Sequence, residues 1–209
     1  MGVDRPEPGA ELNPGEATVP RPAATVIVLR GGAERLEVLL VQRNPDSRFM
    51  GGAWVFPGGA VNRGEGSGRG ALEAAALREL EEEAGLRLAG PEQLLAFSRW
   101  ITPPEVKIRF DTWFFLAMLP EGGEPRVDGG EVVELRWYEP AEALAAGERE
   151  ELMLVFPTIK HLEQLASFRS ASELIEHARG REVRPVEPRV LVSGETARIV
   201  LPGEPGYDD

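Results

Sequence analysis

The nine residues Arg78-Glu79-Leu80-Glu81-Glu82-Glu83-Ala84-Gly85-Leu86 crowd carboxylates at a spacing that can do chemistry. On a helix turning 100° per residue, Glu79, Glu82 and Glu83 share one side, being spaced i, i+3 and i+4. Leu77, Leu80 and Ala84 gather on roughly the opposite side, a core-facing stripe. Gly85 is placed to end the helix in the left-handed conformation. Like charges at this spacing repel by a few tenths of a kcal/mol per pair. Carboxylates in a last turn also oppose the helix dipole, by ~0.3–1 kcal/mol each when exposed. A cation between them removes both penalties, and oxygen ligands without imidazole or thiolate select Mg²⁺ or Mn²⁺. The competing expectation is a solvated acidic face that binds nothing.

The remainder of the chain restricts what else can act. Its 209 residues carry 23 basic and 35 acidic side chains, a net charge of −12. Such a field repels nucleic-acid phosphates and anionic membranes, so neither is expected as a partner. An anionic substrate would need a local cation to reverse that field. The chain has no cysteine, which excludes disulfides, thiol nucleophiles and cysteine-held metals. With His161 and His177 as its two imidazoles, both expected at surface or packing positions, it cannot build a multi-histidine metal site. No apolar run approaches the ~20 residues of a membrane span, and no signal pattern opens the chain. A cytoplasmic location is expected.

The elements that must position the carboxylates follow from periodicity and punctuation. Residues 1–20 are interrupted by Pro6, Pro8, Pro14 and Pro20 and read as a flexible or extended arm. Residues 21–209 are expected to form a single domain with a C-terminal extension of helices and strands. Ala24–Leu29 and Leu36–Val41 read as a strand pair about Gly31-Gly32. Residues 44–70 are glycine-rich and predict long loops around a short Trp54-Val55-Phe56 strand, and Ala71–Leu86 predicts the main helix. Strands follow at Leu94–Ile101, Lys107–Leu119 and Val132–Tyr138. Helices are expected at Ala141–Ala146, Thr158–Phe168 and Ser172–Ala178. Strand-like runs at Val190–Val192 and Ala197–Leu201 flank the turn Ser193-Gly194-Glu195. Alternating strands and helices predict an α/β fold.

Phe56-Pro57-Gly58-Gly59 places two glycines at a strand end, where backbone can approach a ligand closely. With this context the chain resembles the Nudix (MutT-like) hydrolases, whose signature is G-x5-E-x7-R-E-U-x-E-E-x-G-U with U apolar. Gly59 and Glu65 match its first half, and residues 78–86 match its second half. Between Glu65 and Arg78 stand twelve residues where the signature has seven. The five extra, in or near Gly66-Ser67-Gly68-Arg69-Gly70, are expected to lengthen the loop before the helix. Either Glu65 or Glu73 could then fill the first glutamate's supporting role. Leu39-Leu40-Val41-Gln42-Arg43-Asn44, Arg48, Gly52 and Phe56-Pro57-Gly58-Gly59 further resemble the pattern of the coenzyme A diphosphatase branch. Val41 stands where that pattern has Thr, and Asn44 where it has Ser or Ala.

The resemblance implies a Nudix fold, a mixed β-sheet sandwiched between helices. It implies hydrolysis of the pyrophosphate of CoA or acyl-CoA, with ADP-ribose, NADH or another nucleoside diphosphate derivative as the alternative. A non-catalytic binding module of the same fold is the reading from another class. Glu79, Glu82 and Arg78 are implied as catalytic, and Arg43, Arg48, Gly58 and Gly59 as substrate-binding. Glu79, Glu82 and Glu83 would hold Mg²⁺ or Mn²⁺, with Glu131 and Glu65 as further candidates. Glu131 reads equally well as a solvated loop acid. Arginine suits the substrate because its planar fork meets phosphate oxygens in pairs. Trp100, Phe110, Trp113, Phe114 and Phe115 could include an adenine platform, though alternation makes most of them core. A homodimer stays open.

Overall fold

A computed structural model describes residues 12–13, 15–47, 50–193 and 196–208. Arg48, most of the expected N-terminal arm and the Gly194-Glu195 turn lie outside the described residues. The fold is α/β, as the alternation of elements predicts. Its central strand is β1 (Arg21–Arg30), whose residues alternate between the two faces of a mixed sheet. Along one edge β1 pairs in parallel with β6 (Phe110–Met118), from Arg21↔Phe110 to Leu29↔Met118. Its other edge is shared between β4 (Gly58–Ala60), opposite Ala23–Thr25, and β2 (Glu37–Arg43), opposite Leu29–Arg30. Both pairings are antiparallel. β2 continues antiparallel to β3 (Trp54–Val55) and β7 (Val132–Tyr138). Beyond β6 lie β5 (Leu95–Ile101), antiparallel, and β8 (Pro185–Val186), parallel.

The two faces bury different partners. Ala24, Val26 and Val28 point to the same core as Leu39, Phe115 and helix α1 (Gly68–Ala84). That helix contributes Leu80 and the small residues Ala75, Ala76 and Ala84, which bring it close to the sheet. Ile27 and Leu29 point to the other core with Leu40, Phe114 and Leu116. There the cover is α2 (Pro140–Glu148), α3 (Phe156–Leu165) and α4 (Ala171–Ala178). A separate hairpin, β9 (Arg189–Ser193) with β10 (Thr196–Val200), closes the C-terminal part.

Several expectations need correction. The residues inserted before the helix do not all lengthen a loop, because Gly68, Arg69 and Gly70 form the first turn of α1. The expected loop region also contains β4 and a 3₁₀ turn at Arg63–Glu65. The strand expected from Lys107 begins at Phe110. Just before it, Arg109 turns inward to donate to the carbonyls of Thr102 and Thr18 and to Glu187. Of the two positions expected for His161, surface or packing, it takes the packing one, 1% exposed in the core on α3. Gly85 ends α1 as expected, at φ 64°, with its N–H on the Glu81 carbonyl.

Candidate active site

The glutamates of α1 separate by depth. Glu83 is 3% exposed, Glu79 is half-buried and Glu82 lies at the surface. One arginine gathers most of the cluster. Arg78 donates from Nε to Glu65 at 2.7 Å, and from Nη1 to Glu79 at 2.7 Å and Glu82 at 2.9 Å. Its Nη2 reaches the Ala60 carbonyl at 3.1 Å, tying α1 to β4. Glu65 also accepts the Asn62 backbone N–H at 2.5 Å. Partial burial pushes the Glu65 carboxyl up, but the Arg78 and Asn62 bonds outweigh it and hold it below its usual range. Glu73 instead pairs with Arg69 one turn earlier. Of the two candidate supporting glutamates, Glu65 is therefore the one that touches Arg78.

Glu83 has fewer compensations. Its Oε2 accepts the Gly58 N–H at 2.8 Å, and Arg43 Nη1 stands 3.8 Å from Oε1. Burial, with the repulsion of Glu79 and Glu131, pushes its pKa up to about 7. Burial also raises Glu79, and Glu82 and Glu131 add to the rise against Arg78. Among the described residues the buried Nε of Arg43 meets no hydrogen-bond partner. Gly58 is required by neighbouring backbone, and Gly59 lies against a carboxylate that can move. A Cβ on Gly58 would lie 2.5 Å from the Ala24 carbonyl, and one on Gly59 2.3 Å from Glu79 Oε1. Their backbone thus approaches β1 and a carboxylate, where a ligand was the expected reason for glycine.

Glu131 is placed by a residue that sequence reasoning missed. The Asp128 carboxylate accepts the backbone N–H groups of Gly130, Glu131 and Val132 at 2.8–3.0 Å, closing the loop before β7. An Asp three to four residues before a strand and beside glycines is a turn-forming signal. Glu82, Glu83, Asp128 and Glu131 together line a small acidic recess. Among the described residues no three acidic or histidine side chains converge as a preformed cation cage. In this arrangement Arg78 draws Glu79 and Glu82 to itself. The donor set nonetheless fits a hard divalent cation, because it is all carboxylate and two of its members are destabilised as anions. Glu79, Glu82, Glu83 and Glu131 are the candidate ligands, and Glu65 is committed to Arg78.

Next to these acids opens a cavity of about 450 Å³. Arg43, Gly58, Gly59, Glu79, Glu83 and Glu131 line its charged end. Trp100, Phe110 and Phe114 also line it, whereas Phe115 is fully buried in the core and Trp113 stacks beside it. His177 packs on Phe168 at the far side of α4.

A family model of the NUDIX domain matches residues 19–157. A solved NUDIX hydrolase from Alicyclobacillus acidocaldarius is 30% identical, covering 74% of this chain and 94% of that one, with a TM-score of 0.65. The acyl-coenzyme A diphosphatase NUDT19 of Homo sapiens is 34% identical over 116 residues, 53% of this chain and 31% of that protein. The NUDIX domain of Shewanella oneidensis NrtR, solved with ADP ribose, shares the fold at 18% identity. It covers 72% of this chain and 88% of that one, with a TM-score of 0.55. The chain spans between 31% and 60% of the length of the curated relatives it matches. Among the described residues no helix is long and apolar enough to cross a membrane.

Proposed function

This chain belongs to the NUDIX domain family, and on that premise we propose that it hydrolyses the pyrophosphate linkage of coenzyme A or acyl-CoA. The products are 3′,5′-ADP and 4′-phosphopantetheine or its acyl form. The observation that carries the reading is a cavity whose charged end brings Arg43 beside Glu79, Glu83 and Glu131. The terminal N–H groups of a guanidinium placed there suit phosphate oxygens.

In this reading Glu79, Glu82 and Glu83 would hold Mg²⁺ or Mn²⁺, with Glu131 close enough to add its charge. A divalent ion bound there supplies charge neutralisation for phosphate oxygens and lowers the pKa of a water. Arg43 orients the pyrophosphate, and Arg48 shares that task. Gly58 and Gly59 keep β4 flush with β1, so Glu79 and Glu83 face the cavity without an intervening side chain. A water oxygen attacks phosphorus, the bridging P–O bond breaks, and a carboxylate of the cluster takes the water's proton. Arg78 is a positioning residue: it orients Glu79 and Glu82 through its bonds and is itself held by Glu65.

The test is a panel of CoA, acyl-CoAs, ADP-ribose and NADH with Mg²⁺ or Mn²⁺, products identified by mass. CoA or acyl-CoA should show the higher kcat/KM, and Arg43→Ala should slow turnover of every substrate in the panel, because all carry the pyrophosphate it orients. Faster ADP-ribose turnover with CoA near background would sink the CoA assignment. Absence of metal-dependent turnover on every substrate would favour a binding module.

A further inference from the structure

The cavity that holds the carboxylates does not end with them. Its other end is apolar, lined by Val106, Ile108 and Phe110 from the β5–β6 connection and by Val190, Ala197 and Ile199 from the β9–β10 hairpin. That hairpin lies beyond the stretch matched by the domain family, residues 19–157. Ile108 is 43% exposed at this end, so its apolar side chain is not spent on filling a core. The hairpin is not a loose flap. The Val190 N–H donates to Glu105 Oε2 at 3.2 Å, and Arg189 reaches the Tyr207 carbonyl at 2.8 Å. Arg109, 7% exposed, pairs with Glu187 at 2.6 Å immediately before the hairpin.

We propose that the β9–β10 hairpin is the specificity-determining wall for an unbranched apolar arm of the substrate, with Val190 and Ile199 as its contact residues. Continuity of the cavity and its aliphatic lining commit the occupant. An acyl-CoA carries two arms on its pyrophosphate, the phosphoadenosine and the acyl-pantetheine, and with its phosphates at Arg43 one of them extends toward Val190, Ile199 and Ile108. The aliphatic side chains at that end match the acyl chain carried by the pantetheine arm. The inference rests on the CoA reading above, but binding tests it separately from turnover. Each methylene transferred from water to this wall is worth about 0.8 kcal/mol, about fourfold in affinity.

The experiment is calorimetric titration of CoA, butanoyl-CoA, hexanoyl-CoA and octanoyl-CoA in chelator. Repulsion between phosphate and carboxylate is common to all four ligands, so it cancels in the comparison. Wild-type affinity should rise by up to about fourfold per methylene. Ile199→Ser and Val190→Ser should each flatten the rise, whereas Val192→Ser, on the exposed part of β9, should keep it. Ile199→Ala is the milder variant should the serine form be unstable. Equal affinity of wild type for all four ligands overturns the inference, as does an unchanged slope in both wall variants. A chain-length slope without turnover would instead overturn the hydrolase reading alone.

Discussion

Glu83 and His161 are both buried polar side chains, on opposite faces of one sheet, and their surroundings differ in kind. The His161 ring is boxed by Phe56, Phe97, Trp100 and Phe114, the last with its centroid 4.0 Å away. Both ring nitrogens are satisfied, Nδ1–H donating to the Pro157 carbonyl and Nε2 accepting from Ser98, each at 2.6 Å. Burial lowers its pKa to about 4 against the Pro157 carbonyl, so the ring is neutral and its bonding is complete within the chain. Glu83 has one backbone donor, an arginine at 3.8 Å and two carboxylate neighbours that oppose its charge. Burial alone therefore does not mark a functional group. The distinguishing feature is compensation left incomplete by the protein, which a ligand can complete.

The sharpest way to break this comparison is Glu82→Gln. It keeps the shape, removes one of the repelling charges and should lower turnover by ~10²–10⁴-fold. In chelator the variant's stability should stay close to wild type, because relief of the like charges offsets the lost ion pair with Arg78. Millimolar Mg²⁺ or Mn²⁺ should raise the wild-type Tm by mass action and the variant's by less. Equal shifts with turnover retained would return the cluster to a solvated acidic face.

His161 should behave in the reverse manner. Its native pKa lies below the unfolded value of about 6.5, so the unfolded chain takes up the proton first as pH falls. The neutral ring's contribution is therefore fully present above about pH 6.5 and is lost progressively toward about 4, amounting to roughly 3 kcal/mol. Urea unfolding at pH 7 and pH 4.5 should show this dependence in wild type and a smaller one in His161→Gln, with turnover at pH 7 retained. An identical pH dependence in both proteins would remove His161 as its source.

Arg78 sharpens the comparison at the charged end. Arg78→Ala frees Glu65, Glu79 and Glu82 at once and should cost about 10–100-fold in activity, the usual scale for groups that orient ligands. Arg78→Lys should recover little, because one ammonium cannot reproduce the planar fork. Full activity in the lysine variant would show that charge alone suffices there. The smallest effect is expected from Gly59→Ala. Its Cβ would meet the Glu79 carboxylate, which can swing aside, so stability should fall by ~1 kcal/mol while the metal response weakens. A wild-type metal response in that variant would mean that Glu79 does not need its present position.

The local features of this protein were legible in its residues because their causes are local. Residues 78–86 announce a helix with carboxylates at i, i+3 and i+4, and Gly85 ends it in the left-handed conformation that glycine alone adopts freely. Val132–Tyr138 is bounded as its apolar run predicts, and β1 alternates between two cores. What the sequence could not settle depends on which groups meet across the chain. Glu65 and Glu73 are equivalent on paper, and the reach of Arg78 decides between them. Spacing puts Glu79, Glu82 and Glu83 on one side of a helix, but only the seat of α1 against β1 and β4 buries Glu83 and leaves Glu82 in solvent. The inserted residues read as loop, yet α1 begins at Gly68, whose φ of 74° is one that glycine adopts freely, and Gly70 continues the helix where it already stands on the sheet. The hairpin at Arg189–Val200 was visible as two apolar runs; that it walls the same cavity as Arg43 and Glu83 follows from contacts distant in the chain, Val190 with Glu105 and Glu187 with Arg109, which no local pattern encodes.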